Sequence, residues 1–293
     1  MRSRFYIFGC LYSISFALGT VLSKFALNEG TPLFLFFTQL LGSTLVLWIV
    51  SCIRKVQPKD LSSVAKMGYA GILEPGLAYT LGTVGLMMIS ASIASFIGSL
   101  EVILTVFLSA LILKESLGLK KVLLCMTSFI GILLVISPWN EGVGKSTFIG
   151  YILYFSGVLM AVIYAILSKK QVKDIPPLSL LTSQLTLGLA CITVILLISL
   201  VTGITKEQLH NNFLFYLLAF SSGILQYCIP YSLYLVVLKN TDVSNIAFYI
   251  GLVPVFTLFF SVMLLGESFT WVQASGGVIV LFSVLFVKVH RSF

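Results

Sequence analysis

Apolar runs follow one another along the whole chain, with only short polar breaks between them. They read as spans near 5–27, 33–53, 65–88, 92–113, 120–137, 148–168, 177–202, 213–238, 243–265 and 270–288. Runs of about twenty mostly apolar residues match the thickness of a bilayer. No polar stretch is long enough for a separate soluble domain. Composition agrees: 58% of residues are hydrophobic and 10% charged, whereas a soluble domain carries about 25% charged residues to face water. The expectation is an all-α membrane protein with ten transmembrane helices.

Lys and Arg total 18 against 10 for Asp and Glu. If the N-terminus is cytoplasmic, Arg2, Arg4, Arg54, Lys55, Lys59, Lys66, Lys114, Lys120 and Lys121 fall inside. So do Lys169, Lys170, Lys173, Lys239, Lys288 and Arg291, leaving Lys24, Lys145 and Lys206 outside. This positive-inside bias predicts both termini in the cytoplasm and an even helix count. It explains the basic balance without nucleic acid. The first run is too long for a signal-peptide core and reads as a retained helix. Trp48, Trp139 and Trp271 fall near predicted span ends, where an indole N–H stays wet. The expected location is the plasma (bacterial inner) membrane.

An internal repeat organises the chain. Leu22-Ser23-Lys24 recurs as Leu167-Ser168-Lys169, with seven residues before Pro32 and before Pro177, and the same 145-residue offset relates Gln39 to Gln184 and Tyr6 to Tyr151. Further on the offset becomes 152: Gly71-Ile72-Leu73-Glu74 with Tyr79 matches Gly223-Ile224-Leu225-Gln226 with Tyr231. Ser92/Ser244, Thr105/Thr257, Ser109/Ser261 and Glu115-Ser116/Glu267-Ser268 keep that second offset. Polar matches under one offset are hard to obtain by chance. The halves divide at 1–143 and 144–293, five spans each. An odd number of spans puts the second copy upside down, giving two inverted five-helix repeats, a plan many secondary transporters use.

With that plan in view, Ala78-Tyr79, Gly85-Leu86, Ser90-Ala91-Ser92, Leu100-Glu101-Val102 and Glu115 resemble the first-half signature of the EamA family, within the drug/metabolite transporter superfamily. Leu252-Val253-Pro254-Val255 and Leu265-Gly266-Glu267 resemble the same pattern in the second copy. The sequence departs from the family's Leu-Glu-Pro-Val: Glu101 lacks the following proline and Pro254 lacks the preceding Glu. The glycine usual in the fifth helix is displaced or absent near Cys125, while Gly276-Gly277 supply it in the tenth. The resemblance implies export or uptake of small metabolites, often amino acids or related amines, by secondary transport, with export the expected direction, and it selects no single substrate.

Glu74 and Glu101 each fall tenth in their spans, near mid-membrane. A charge there costs on the order of 3 kcal/mol or more, so each should face the bundle interior. No Lys, Arg or His lies at that depth. Two such acids suit proton carriage or an ammonium-bearing ligand; the alternative is a carboxyl hydrogen-bonded to a neighbouring helix. Tyr79, Gln226 and Tyr231 are expected to line the same cavity and orient the ligand. Gln39 and Gln184 serve either as lining or as interhelical glue. Pro75, Pro230 and Pro254 should kink their helices. Lys24 and Lys169 sit at span ends, where snorkelling to the interface is the default, although Lys24 lies outside and could meet an anionic group. Glu115 and Glu267 read as hydrogen-bonding to neighbouring helix ends.

Other classes find less support. Gly142 to Thr147 imitates a phosphate loop, but the full pattern needs glycine where Trp139 stands. His210 and His290 fall in a loop and the tail, and no catalytic or metal-ligating cluster is visible. The five cysteines have no paired spacing. The expectation is a non-enzymatic transporter without cofactor, whose partners are a small-molecule substrate, membrane lipids and, as a coupling ion, protons. The alternatives are an uncoupled channel or lipid scramblase, or an intramembrane enzyme. The sequence is compatible with a monomer or a homodimer.

Overall fold

The computed structural model describes residues 2–27, 30–86, 88, 91–136, 148–203, 213–266, 268 and 270–286. Among them there are helices and no strands: α1 (Arg2–Leu27), α2 (Pro32–Ile53), α3 (Leu61–Gly68), α4 (Ala78–Leu86), α5 (Ala91–Leu113), α6 (Leu119–Ile136), α7 (Phe148–Gln171), α8 (Pro177–Thr202), α9 (Phe213–Gly223), α10 (Ile229–Asn240), α11 (Val243–Leu265) and α12 (Trp271–Phe286). Local chemistry sets their ends. Pro32 and Pro177, repeat mates, open α2 and α8 at the position where a missing N–H costs nothing. Asp60 caps α3 by accepting the Ser63 amide at 2.7 Å. Gly266 ends α11 with φ 69°, and its mate Lys114, following α5, takes the same left-handed conformation at φ 56°.

Polarity runs inside out. Val201, Leu111 and Leu285 are 87%, 78% and 76% exposed, while Ser13, Ser43, Thr182 and Gln184 are fully buried. Water would penalise that exterior; hydrocarbon does not. Six of the described helical runs are long and apolar enough to cross a bilayer: Arg4–Leu27, Pro32–Ile53, Phe148–Gln171, Pro177–Thr202, Phe213–Asn240 and Val243–Leu265. Shorter apolar helices accompany them. The chain is therefore a multi-pass integral membrane protein.

Packing pairs equivalent helices. The fifth-position helices α6 and α12 lie together, as do α2 and α8, while α4 on α7 is matched by α10 on α1 and α5 on α7 by α11 on α1. Small residues permit the close approaches. A Cβ on Gly276 would come within 2.6 Å of the Gly131 carbonyl oxygen. At Gly71 a side chain would collide with the Gln184 carbonyl, and at its mate Gly223 with that of Gln39, so the same contact occurs in both copies.

Three expectations need correction. The third span is not one helix but α3 and α4 separated by a break over Ile72–Leu77. The Trp48 indole donates to Thr186 Oγ1 at 3.0 Å on α8, because it faces the α2–α8 seam rather than the interface. Lys169 does not snorkel. It is 3% exposed, and its ammonium donates to the carbonyls of Leu238 at 2.8 Å and Thr241 at 2.6 Å, where α10 ends. Those orphan carbonyls supply what water would otherwise give. Trp139, Glu267, His210, His290 and the 142–147 segment lie outside the described residues.

Candidate functional site: an acidic cavity between the two copies

Proline positions the first acid. Pro75 lacks an N–H and its ring excludes the carbonyl four residues back, so it breaks a helix. The preceding residue is pushed to extended backbone. Glu74 adopts that conformation, φ −141° and ψ 126°, and the Glu74–Pro75 peptide is cis. The second copy has Tyr227 where Pro75 stands. There the chain passes through a widened turn at Ile224–Cys228 without leaving helical backbone. Pro254, expected to kink its helix, sits inside an uninterrupted α11.

The break aims Glu74 at aromatic side chains from both copies. Tyr231 donates its hydroxyl proton to Glu74 Oε1 at 2.6 Å. Tyr79 and Tyr231 hydroxyls are 3.3 Å apart. A phenol has one proton, so with Tyr231 committed to Glu74, Tyr79 is the donor in that second contact. Around this relay Tyr79 packs on Phe36 and Tyr227 at centroid distances of 5.4 and 5.5 Å, and Tyr231 on Tyr164 and Tyr234 at 6.0 Å each.

A cavity of two lobes meets at the acids. One lobe of about 290 Å³ runs between α4, α5 and α7, past Gly82, Thr83, Gly98, Tyr154 and Gly157. The other, about 250 Å³, is walled by Tyr12, Phe16, Ile132, Tyr231, Ile250, Val253 and Pro254. Glu74, Tyr79, Gly98 and Glu101 line both. Together the lobes fall in the range of small-molecule sites, about 300–1,000 Å³. Among the described residues Glu101 takes no hydrogen bond, and no group of three or more His, Cys, Asp or Glu gathers to hold a metal.

Other expected site residues lie elsewhere. Gln226 accepts from Ser23 Oγ at 3.0 Å and reaches Thr20 Oγ1 at 3.4 Å, outside both lobes. Gln39 donates to Ser23 Oγ at 2.7 Å and to Ser222 Oγ at 2.9 Å. Its mate Gln184 donates to Ser168 Oγ at 3.0 Å and accepts from Tyr164 at 3.1 Å. Both glutamines thus bind the serine of their own repeat and stitch helices together. Lys24 is exposed at the end of α1, apart from the cavity.

The end of the bundle carrying the N-terminus of α11 is tied by charge. Glu115 accepts from the amides of Val243 at 2.6 Å and Ser244 at 3.0 Å, and from Ser244 Oγ at 2.6 Å, capping α11 across the two copies. Lys121 pairs with Asp242 at 3.6 Å. Burial, with Glu115 nearby, pushes the Asp242 carboxyl above its usual range.

Sequence reasoning missed Tyr12, Phe16 and Tyr154. An aromatic ring in an apolar span carries no mark of lining rather than packing. Their one available signal was the hydroxyl of Tyr12 and of Tyr154, a polar atom at a depth that otherwise holds few.

Comparison with known proteins matches the sequence to a family. The sequence model of the EamA-like transporter family covers residues 3–137 and again 148–289. An uncharacterized transporter of Bacillus subtilis (strain 168), YyaM, is 28% identical over 228 residues, 77% of this chain and 70% of that protein. An uncharacterized transporter of Archaeoglobus fulgidus is 24% identical over 251 residues, 86% of each. A crystal structure of another protein superimposes with a TM-score of 0.81 at 15% identity, covering 97% of this chain and 96% of that one.

Proposed function

Because the chain belongs to the EamA-like transporter family, we propose that it is a secondary transporter carrying a small amine-bearing metabolite, by alternating access between two inverted halves, 1–143 and 144–293. In this reading the interrupted helices α3–α4 and α9–α10 each cross once, and the bundle has ten crossings. Both termini lie in the cytoplasm of a cell or bacterial inner membrane. One observation carries the proposal: Glu74 and Glu101 face a cavity at the seam of the two copies, with Tyr79 and Tyr231, one from each copy, linked to Glu74. A carboxyl in such a place exchanges a proton for an ammonium group, which couples the two fluxes. In this topology the ties of Glu115 to Val243 and Ser244, and of Lys121 to Asp242, lie on the inner side.

Purified protein in proteoliposomes should take up labelled amines or amino acids with saturation and with a response to an imposed proton gradient. Glu74→Gln should abolish that flux, while the exposed Lys59→Gln leaves it intact. Flux that rises linearly with concentration and ignores Glu74→Gln would instead mark a channel or scramblase.

A further inference from the structure

We infer that the cavity selects amines that carry no carboxylate: a single ammonium group on an apolar or aromatic body, rather than a zwitterionic amino acid. This rests on the amine-transport reading and narrows it.

Charge balance carries the inference. Both lobes meet at Glu74, Glu101 and Tyr79, so that junction is where an ammonium group is met by two carboxyls and an aromatic face. The α-carboxylate of an amino acid stays within a bond or two of its ammonium. It would therefore enter the same junction and need a positive partner there. The sequence supplies none at that depth. Lys169, the one basic side chain buried in the membrane bundle among the described residues, is committed to the Leu238 and Thr241 carbonyls. Nor does backbone stand in for a base. A broken helix can hold a carboxylate on the free amides beyond its break, but here Pro75 has no N–H and the run Ile72–Leu77 passes through widened turns, with the Ala78 amide bonding the Leu73 carbonyl. The remaining hydroxyl donors are partly spent, since Tyr231 is bound to Glu74. The second lobe completes the selection, with Phe16, Ile132, Ile250 and Val253 offering an apolar seat beside Tyr12.

The test compares three probes that share one aromatic body: 2-phenylethylamine, phenylalanine and 3-phenylpropionate. Each is titrated calorimetrically into purified, detergent-solubilised full-length protein. The amine should bind saturably, phenylalanine about 100-fold more weakly because of like-charge contact, and the acid not measurably. Glu101→Gln should weaken the amine at least about tenfold; should that variant not fold, the wild-type comparison decides alone. Phenylalanine binding as well as the amine would overturn the inference and leave amine transport standing. Binding of the acid alone, or of none of the three, would overturn both.

Discussion

The hydroxyls of Tyr79 and Tyr231, equivalent residues of the two sequence copies, approach to 3.3 Å, and only one of them continues to a carboxylate. Equivalent positions thus meet at the seam between copies, while the acid sits on one side of it. The mate of Glu74 is Gln226, which turns to Ser23 and Thr20 instead. The duplicated scaffold thus carries its charge on one side of the seam only.

Tyr231→Phe keeps the ring packing and removes the proton donated to Glu74. It should cost about 1–2 kcal/mol of stability and lower transport roughly tenfold or more. Thermal unfolding and initial uptake rates read the two effects. Unchanged uptake would show that the hydroxyl relay plays no part in turnover.

Pro75→Ala restores the missing donor and lets α3 continue toward α4, swinging Glu74 away from the cavity. Transport should be lost while the melting temperature stays level or rises. A variant that transports normally would mean the break does not depend on proline.

Gly71→Ala and Gly223→Ala each drive a methyl into a glutamine carbonyl of the other copy. Each should destabilise by about 1–3 kcal/mol. Comparable losses in both, measured by thermal unfolding, are expected of equivalent contacts. Tolerance of either substitution would show that the helices at that seam have room to separate.

Lys114 occupies the left-handed conformation that its mate Gly266 adopts without strain. Lys114→Gly should raise stability by about 0.5–1 kcal/mol, the relieved backbone cost less the extra entropy of an unfolded glycine. A drop in melting temperature would indicate that the lysine side chain contributes more than the strain removes.

Glu115→Gln keeps the size of the cap on α11 but halves its acceptors and removes its charge. A loss of about 1–2 kcal/mol is expected, together with a shift toward the inward-open form. Cysteine accessibility at position 244 would report that shift, and no change in labelling would argue against a gating role for this end of the bundle.

The sequence by itself determined the solvent, the helical class and the duplication. Apolar runs of bilayer length leave little choice of medium, and matched polar residues under constant offsets are legible without coordinates. It also singled out Glu74 and Glu101, since acids in apolar spans are conspicuous on energetic grounds alone. What it could not decide was direction. Gln226, Gln39 and Gln184 have the composition of a binding site, yet helix rotation turns them onto serines at the seams. Lys169 has the address of a snorkelling residue, yet α10 ends beside it and offers it the carbonyls of Leu238 and Thr241. Tyr12 and Phe16 carry no mark in the sequence and prove to be wall. Each outcome depends on which helix lies opposite, and that is settled by close glycine contacts and carbonyl positions that arise only when the helices assemble.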